Sequence, residues 1–144
     1  MIKKVIQIVK DIEADDSVEL SWFDIQKPNL SAITNLGVDF ILKVKFTHLH
    51  VKDVLFCEDG YKIEVKRAKD EVYILEFNGH VSFAKAAYEI GNRHQPICIE
   101  DYKIIVLNDI SIADIILSLQ NDLHVRVIKS KRYFQPNGKL HHSH

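Results

Sequence analysis

Alternating apolar and polar residues run through the first half of the chain and predict short β-strands. Residues 18–22 (Val-Glu-Leu-Ser-Trp) and 40–46 both alternate, with the period of two that is typical of a half-buried strand. Residues 58–60 (Glu-Asp-Gly) separate two further apolar runs and predict a hairpin turn. We therefore predict an all-β domain over residues 1–68.

The spacing of apolar residues changes after a short charged stretch at residues 66–70. Apolar residues from Phe83 to Ile90, and again from Ile112 to Leu119, recur three and four positions apart and predict two helices. Gly91 is well placed as the residue after the first helix, although a further turn could follow it. Strands are predicted at residues 72–77, 97–99, 104–106 and 125–128.

The resulting order β-α-β-β-α-β is the ferredoxin-like arrangement. The sequence therefore predicts an α+β protein, with an N-terminal all-β domain at 1–68 and a C-terminal ferredoxin-like domain at 69–144. The tail from Lys129 onwards is basic and then carries proline, asparagine and glycine. We expect this tail to be mobile.

Composition excludes several classes of protein. The 144 residues carry 19 basic and 20 acidic side chains, for a formal charge of −1, and no basic stripe predicts binding to nucleic acid. No apolar run has the length of a membrane span, so no membrane association is expected. Cys57 and Cys98 are far apart and form no C-x-x-C pattern, which favours the reducing cytoplasm.

The eight histidines are the one unusual feature of the composition. His141, His142 and His144 lie among the last four residues, and neutral imidazole is a good ligand for nickel, copper and zinc. These residues are either a metal-capturing tail or a cloning remnant. The serine that interrupts the run favours a native origin.

Three internal histidines are weaker candidates. His48 and His50 would face one side of a strand and could hold a metal weakly, although a solvated loop is the interpretation that we favour. His94 follows the first helix of the second half, where a lone histidine is more often structural or solvated than a ligand. Periodicity alone therefore assigns no metal site to these three residues.

Besides metal capture by histidines, two other functions would use the same ferredoxin-like scaffold. An acylphosphatase-like hydrolase needs an anion-binding loop with an arginine after the first strand, and the corresponding residues 78–80 (Asn-Gly-His) contain none. A regulatory module that binds a small ligand would need no histidine tail. No Gly-rich phosphate loop and no Gly-x-Ser-x-Gly motif occurs in the sequence.

Residues 89–96 (Glu-Ile-Gly-Asn-Arg-His-Gln-Pro) resemble the signature segment of the UreE urease accessory proteins. The preceding residues 83–88 resemble the helix of that family, and residues 18–22 and 53–56 resemble its first domain. Residues 132–136 (Arg-Tyr-Phe-Gln-Pro), followed by a histidine-bearing end, resemble the tail of the shorter bacterial members. The resemblance thus extends over most of the chain.

This resemblance implies a nickel metallochaperone, and not an enzyme, which forms a homodimer through its C-terminal domains. The N-terminal domain would be peptide-binding-like. His94 of each chain would lie near the two-fold axis and share one nickel(II) ion, with His142 and His144, or His141 in their place, completing the ligand shell. Zinc(II) and copper(II) would also bind in vitro.

The resemblance further implies delivery of nickel to apo-urease through the GTPase UreG. One departure concerns residues 107–110 (Leu-Asn-Asp-Ile), where some members carry an additional His-x-His pair. A second internal metal site is therefore not expected in this chain.

Overall fold

The computed structural model describes residues 1–27, 29–43 and 49–138 of the chain. Backbone contacts divide the protein into two compact units, Met1–Ala68 and Lys69–His144. Strands predominate and a few helices accompany them, so the predicted α+β class is confirmed. Within the described residues, no helix is long and apolar enough to cross a bilayer.

The described part of the first unit contains a six-stranded sheet. Its strands are β1 (Lys3–Lys10), β2 (Asp16–Leu20), β3 (Asn29–Ile33), β4 (Asp39–Lys43), β5 (Asp53–Cys57) and β6 (Lys62–Arg67). They lie in the order β2-β6-β5-β1-β4-β3. The pairs β1/β4 and β2/β6 are parallel, and the other pairs are antiparallel.

The predicted hairpin is confirmed between β5 and β6. Gly60 has a φ of 89°, in the left-handed region that a residue without a β-carbon adopts at little cost. Its amide donates to the Cys57 carbonyl at 2.9 Å, and the Cys57 amide donates to Tyr61 at 2.9 Å. The alternating side chains of the sheet then form one apolar core that includes Leu20, Phe40, Leu42, Leu55 and Ile63.

The first unit also contains a short helix, α1 (Trp22–Gln26), which the alternating pattern did not predict. The predicted strand at residues 18–22 ends at Leu20, because Ser21 is the N-cap of the helix. The Ser21 hydroxyl accepts a hydrogen bond from the Asp24 amide at 3.1 Å, as serine commonly does at this position. Trp22 is therefore the first residue of this helix and not the last residue of the strand, and its side chain is buried.

As far as Gly138, the second unit contains a four-stranded antiparallel sheet and two α-helices. Its elements are β7 (Asp70–Phe77), α2 (His80–Asn92), β8 (Ile97–Glu100), β9 (Lys103–Leu107), a 3₁₀ turn (Ile110–Ile112), α3 (Ala113–Gln120) and β10 (Val125–Arg132). The strands lie in the order β10-β7-β9-β8. Side chains of both helices and of β7, β8 and β9 share one core, which includes Leu75, Ile90, Ile104, Val106 and Ile116.

Two boundaries differ from the sequence prediction. Helix α2 continues through Gly91 to Asn92, since a glycine near a helix end is tolerated at a modest cost. Strand β10 runs to Arg132 and not to residue 128, because all eight of its residues pair with β7. Its polar residues predicted a tail, but charged side chains are also common on an edge strand.

The prediction of a mobile tail from Lys129 is wrong for the residues that the structure describes. After β10 the chain buries the Phe134 side chain, which is 2% exposed. The amides of Asn137 and Gly138 then both donate to the Ile97 carbonyl at 3.0 Å. The part of the tail from residue 139 onwards lies outside the described residues.

Replacing Ile90, which is fully buried on α2, tests whether this core positions the helix. We expect Ile90→Ala to lower the free energy of unfolding by about 2–5 kcal/mol, because the lost side chain leaves a cavity. Urea denaturation followed by circular dichroism measures the change. Lys85→Ala, on an exposed position of the same helix, is the matched control, and an equal effect of both changes would contradict the packing described.

Candidate functional site

His94 lies immediately after α2, with its backbone in an uncommon conformation. The Arg93 amide donates to the Ile90 carbonyl at 3.1 Å, and the His94 amide donates to Gly91 at 3.0 Å. His94 has a φ of 55°, in the left-handed region that histidine, asparagine and aspartate enter more readily than bulky residues do. The side chain is exposed. The chain therefore reverses at His94 and presents an accessible imidazole.

Arg93 fixes this reversal to the start of α3. Its guanidinium donates to both carboxylate oxygens of Asp114, at 3.0 and 2.7 Å, and to the Ser111 carbonyl at 2.7 Å. A bidentate arginine–carboxylate contact defines orientation as well as distance. The residue before His94 is thus held to two points of the neighbouring segment.

The pKa values of the pair follow from this contact. The hydrogen bonds from Arg93 lower the pKa of Asp114 to about 2, and the positive charge of the guanidinium acts in the same direction. The carboxylate in turn raises the pKa of Arg93. Both groups therefore keep their charges throughout the neutral range. Because the Asp114 pKa is depressed, any stability that the Arg93–Asp114 pair contributes is present above about pH 4. That contribution is lost as the pH falls towards 2.

The described end of the tail reaches the same part of the second unit. Ile97, which accepts the hydrogen bonds from Asn137 and Gly138, follows His94 by three residues. Three residues separate two α-carbons by about 11 Å at most. This contact could not be predicted from the sequence, because nothing in the local pattern links residues 137–138 to β8.

The other predicted ligands are placed as follows. His141, His142, His144 and His48 lie outside the described residues. His50 is in a loop and not in a strand, with its amide donating to the Asp53 carboxylate at 2.8 Å. Among the residues that the structure describes, no group of three or more His, Cys, Asp or Glu side chains is arranged to hold a metal ion.

Cys98 is four positions past His94, but its environment is unfavourable for a thiolate ligand. The side chain is half-buried in β8, and burial together with the negative charge of Glu100 raises the pKa of the thiol. A thiol coordinates a metal as the thiolate. The chemistry that this region offers is therefore that of an exposed imidazole on a firmly held backbone.

Comparison with known proteins places this arrangement in a family. The family model described as UreE urease accessory protein, C-terminal domain, matches residues 70–144. The urease accessory protein UreE of Aliarcobacter butzleri is 62% identical over the whole chain and 97% of its own length. The corresponding proteins of Lysinibacillus sphaericus and Helicobacter pylori are 29% and 25% identical over 88% and 97% of this chain, and over 84% and 93% of their own lengths. The chain belongs to the UreE urease accessory protein family.

Removing the guanidinium tests the electrostatics of the Arg93–Asp114 pair. We expect Arg93→Met to return the pKa of Asp114 from about 2 towards its ordinary value, because the hydrogen bonds and the positive charge are both lost. A titration of side-chain carboxyl carbons by NMR measures the pKa.

The control is Arg126→Met, which removes an arginine that pairs with Glu76 and should leave Asp114 unchanged. An Asp114 pKa that is the same in the wild type and in Arg93→Met would contradict the proposed cause of the shift.

Proposed function

We propose that this protein is a nickel-binding metallochaperone in urease maturation, and that it acts as a homodimer without catalysing a reaction. Membership of the UreE urease accessory family supports the role in urease maturation. The observation that carries nickel binding is the exposed His94 imidazole on a backbone fixed by Arg93. In this proposal, His94 is the anchored ligand, and His142 and His144, or His141, complete the shell.

The element order of the second unit supports its role as a ferredoxin-like domain for metal binding and dimerisation. Its elements follow one another as β-α-β-β-α-β, and the last strand lies beside the first, which is the order expected of a ferredoxin-like domain. The first unit is then the peptide-binding-like domain of the proposal. Its six-stranded sheet carries none of the residues that we assign to the metal.

Exposed apolar side chains on α2 and beside Ser111 support a dimer through the second unit. Val81, Ala84 and Tyr88 lie at helical spacing on an exposed face of α2, where Val81 is 55% and Tyr88 61% exposed. Ile110, next to the serine that accepts from Arg93, is 91% exposed. An isologous interface would bury these groups and place a residue near the axis beside its own copy. One histidine per chain would then provide two ligands for one ion.

The docked tail supports participation of the terminal histidines. Counted from Gly138, His141 and His144 are three and six residues further along the chain, so their backbones are at most about 11 and 22 Å away. Gly138 itself bonds to Ile97, which is close to His94 in the chain. The tail imidazoles are therefore within chain reach of an ion at His94.

The donor chemistry fits a cargo that is captured and released. Neutral imidazole binds nickel(II) well, and it also binds zinc(II) and copper(II), the latter more tightly. Selectivity for nickel would therefore come from supply and partners. Each imidazole binds a metal ion only when deprotonated, and a free histidine side chain titrates at about pH 6.5. Acidification through that range releases the metal.

The proposed route of delivery is through the GTPase UreG to the apo-urease assembly complex, in the cytoplasm. Family membership supports a connection with urease maturation. The nearly balanced formal charge of −1 favours a protein partner over a nucleic acid. No membrane partner belongs to this proposal.

Calorimetric titration of nickel(II) into the tag-free wild type and a His94→Asn variant tests the proposal. Asparagine is the appropriate replacement, because it also tolerates a positive φ and so preserves the reversal after α2. We expect one tight site per two chains in the wild type and loss of that site in the variant. Affinity in the wild type should fall tenfold or more between pH 7.5 and pH 5.5.

The matched control is His124→Asn. His124 is exposed and follows α3, and its Nδ1 atom is hydrogen-bonded to the Asn78 Oδ1 atom at 3.1 Å. Its replacement should leave the stoichiometry and affinity unchanged. Unchanged tight binding in His94→Asn would contradict the shared site and move the metal to other histidines.

A further inference from the structure

Strand β8 is an edge strand, and the end of the tail pairs with its open side. The Asn137 side-chain oxygen accepts from the Ile99 amide at 2.7 Å, and its side-chain nitrogen donates to the Ile99 carbonyl at 2.6 Å. The Asn137 and Gly138 amides both donate to the Ile97 carbonyl at 3.0 Å. One asparagine thus uses its backbone and its side chain to satisfy three successive outward groups of β8. We call residues 137 and 138 the clasp.

Gly138 is required by the closeness of this approach. A β-carbon at position 138 would lie 2.5 Å from the Ile97 Cγ2 atom. That methyl group is attached directly to the β-carbon of a branched side chain, so it cannot move away through a flexible terminus. The absence of a side chain at residue 138 therefore allows the backbone of the tail to dock on β8.

The chain reaches the clasp by crossing from one edge of the sheet to the other. Strand β10 lies at one edge of the sheet and β8 at the other. Residues 133–136 cross between them, with Phe134 buried on the way. The crossing brings the chain to the strand that begins three residues after His94.

We propose that Asn137 and Gly138 are positioning residues, which hold the start of the histidine-bearing tail at β8 so that its imidazoles meet a metal ion at His94. This inference rests on the proposed function. Docking at Gly138 reduces the separation along the chain between His141 and the last held residue from seven residues, counted from Phe134, to three. The effective concentration of a tethered ligand falls roughly as the −3/2 power of tether length. The clasp therefore raises the effective concentration of tail imidazoles about two-fold to four-fold for each chain.

The test is a double-mutant cycle for nickel(II) binding. The four proteins are the full chain, the full chain with Asn137→Ala, the chain truncated after Gly138, and the truncated chain with Asn137→Ala. In the full chain, Asn137→Ala should weaken nickel binding at least two-fold to four-fold. In the truncated chain, the same substitution should have no effect on affinity, because there are no imidazoles left to position.

Spectroscopy separates positioning from a structural role. At saturating nickel, X-ray absorption should count the same number of imidazole ligands in Asn137→Ala as in the wild type, and fewer after truncation. Asn121→Ala is the matched control, since it removes a comparable hydrogen bond from an asparagine side chain to the Leu117 carbonyl at the end of α3. This control should bind nickel like the wild type.

Several results would overturn the inference. An equal loss of affinity from Asn137→Ala in the full and truncated chains would show that the clasp only maintains β8. If His94→Asn abolishes tight binding while Asn137→Ala changes nothing, the proposed function stands and the clasp has no role in it. If His94→Asn changes nothing, the proposed function itself fails.

A second variant and a second measurement keep the test independent of folding defects. Gly138→Ala should weaken nickel binding in the full chain as Asn137→Ala does, because the added methyl collides with Ile97. Amide hydrogen exchange in the metal-free wild type should find Ile99 and Gly138 protected. Exchange of both amides at the rate of an open chain would overturn the docking itself.

Discussion

The second unit depends on the apolar core that its central strands β7 and β9 share with both helices. Leu75, Ile104 and Val106 lie in this core, since alternate side chains of a strand point to the same face. Burial of that face fixes the sheet in register and leaves its two edge strands, β8 and β10, as the places where chain can be added. The start of β8 and the end of β10 lie at the same end of this sheet. The reversal at His94 comes just before the start of β8 for that reason, at the end of the sheet where β10 leads into the tail.

The elements that the sequence predicted well are those whose signal lies within a few residues. Periodicity of three and four located α2 and its buried Ile90, and the Glu-Asp-Gly turn located the hairpin of β5 and β6. The predictions that failed concern features that periodicity does not detect. Ser21 caps a helix where alternation suggested a longer strand. Strand β10 continues through residues that look like a polar tail, because its partner β7 is distant in sequence.

The candidate site was accessible to sequence reasoning only through a family resemblance. An isolated His94 after a helix carries no periodic signal, and its importance came from the segment around it. The contact of Arg93 with Asp114 joins residues 21 positions apart, and that of Asn137 with Ile99 joins residues 38 apart. Pairings over such separations are decided by the tertiary fold. The family match at residues 70–144 covers the part of the chain that contains both contacts.

The left-handed backbone at His94 also has an entropic consequence for a bound ion. Ordering a flexible residue costs about 1–2 kcal/mol of backbone entropy, and a ligand that is already ordered does not incur this cost again when metal arrives. At His94 the hydrogen bond from its amide to Gly91 and the neighbouring guanidinium contacts order the backbone during folding. On the proposed function, the backbone of this histidine therefore adds little to the entropic cost of binding an ion. The entropic cost of its coordination then comes mainly from the side-chain torsions of the exposed imidazole.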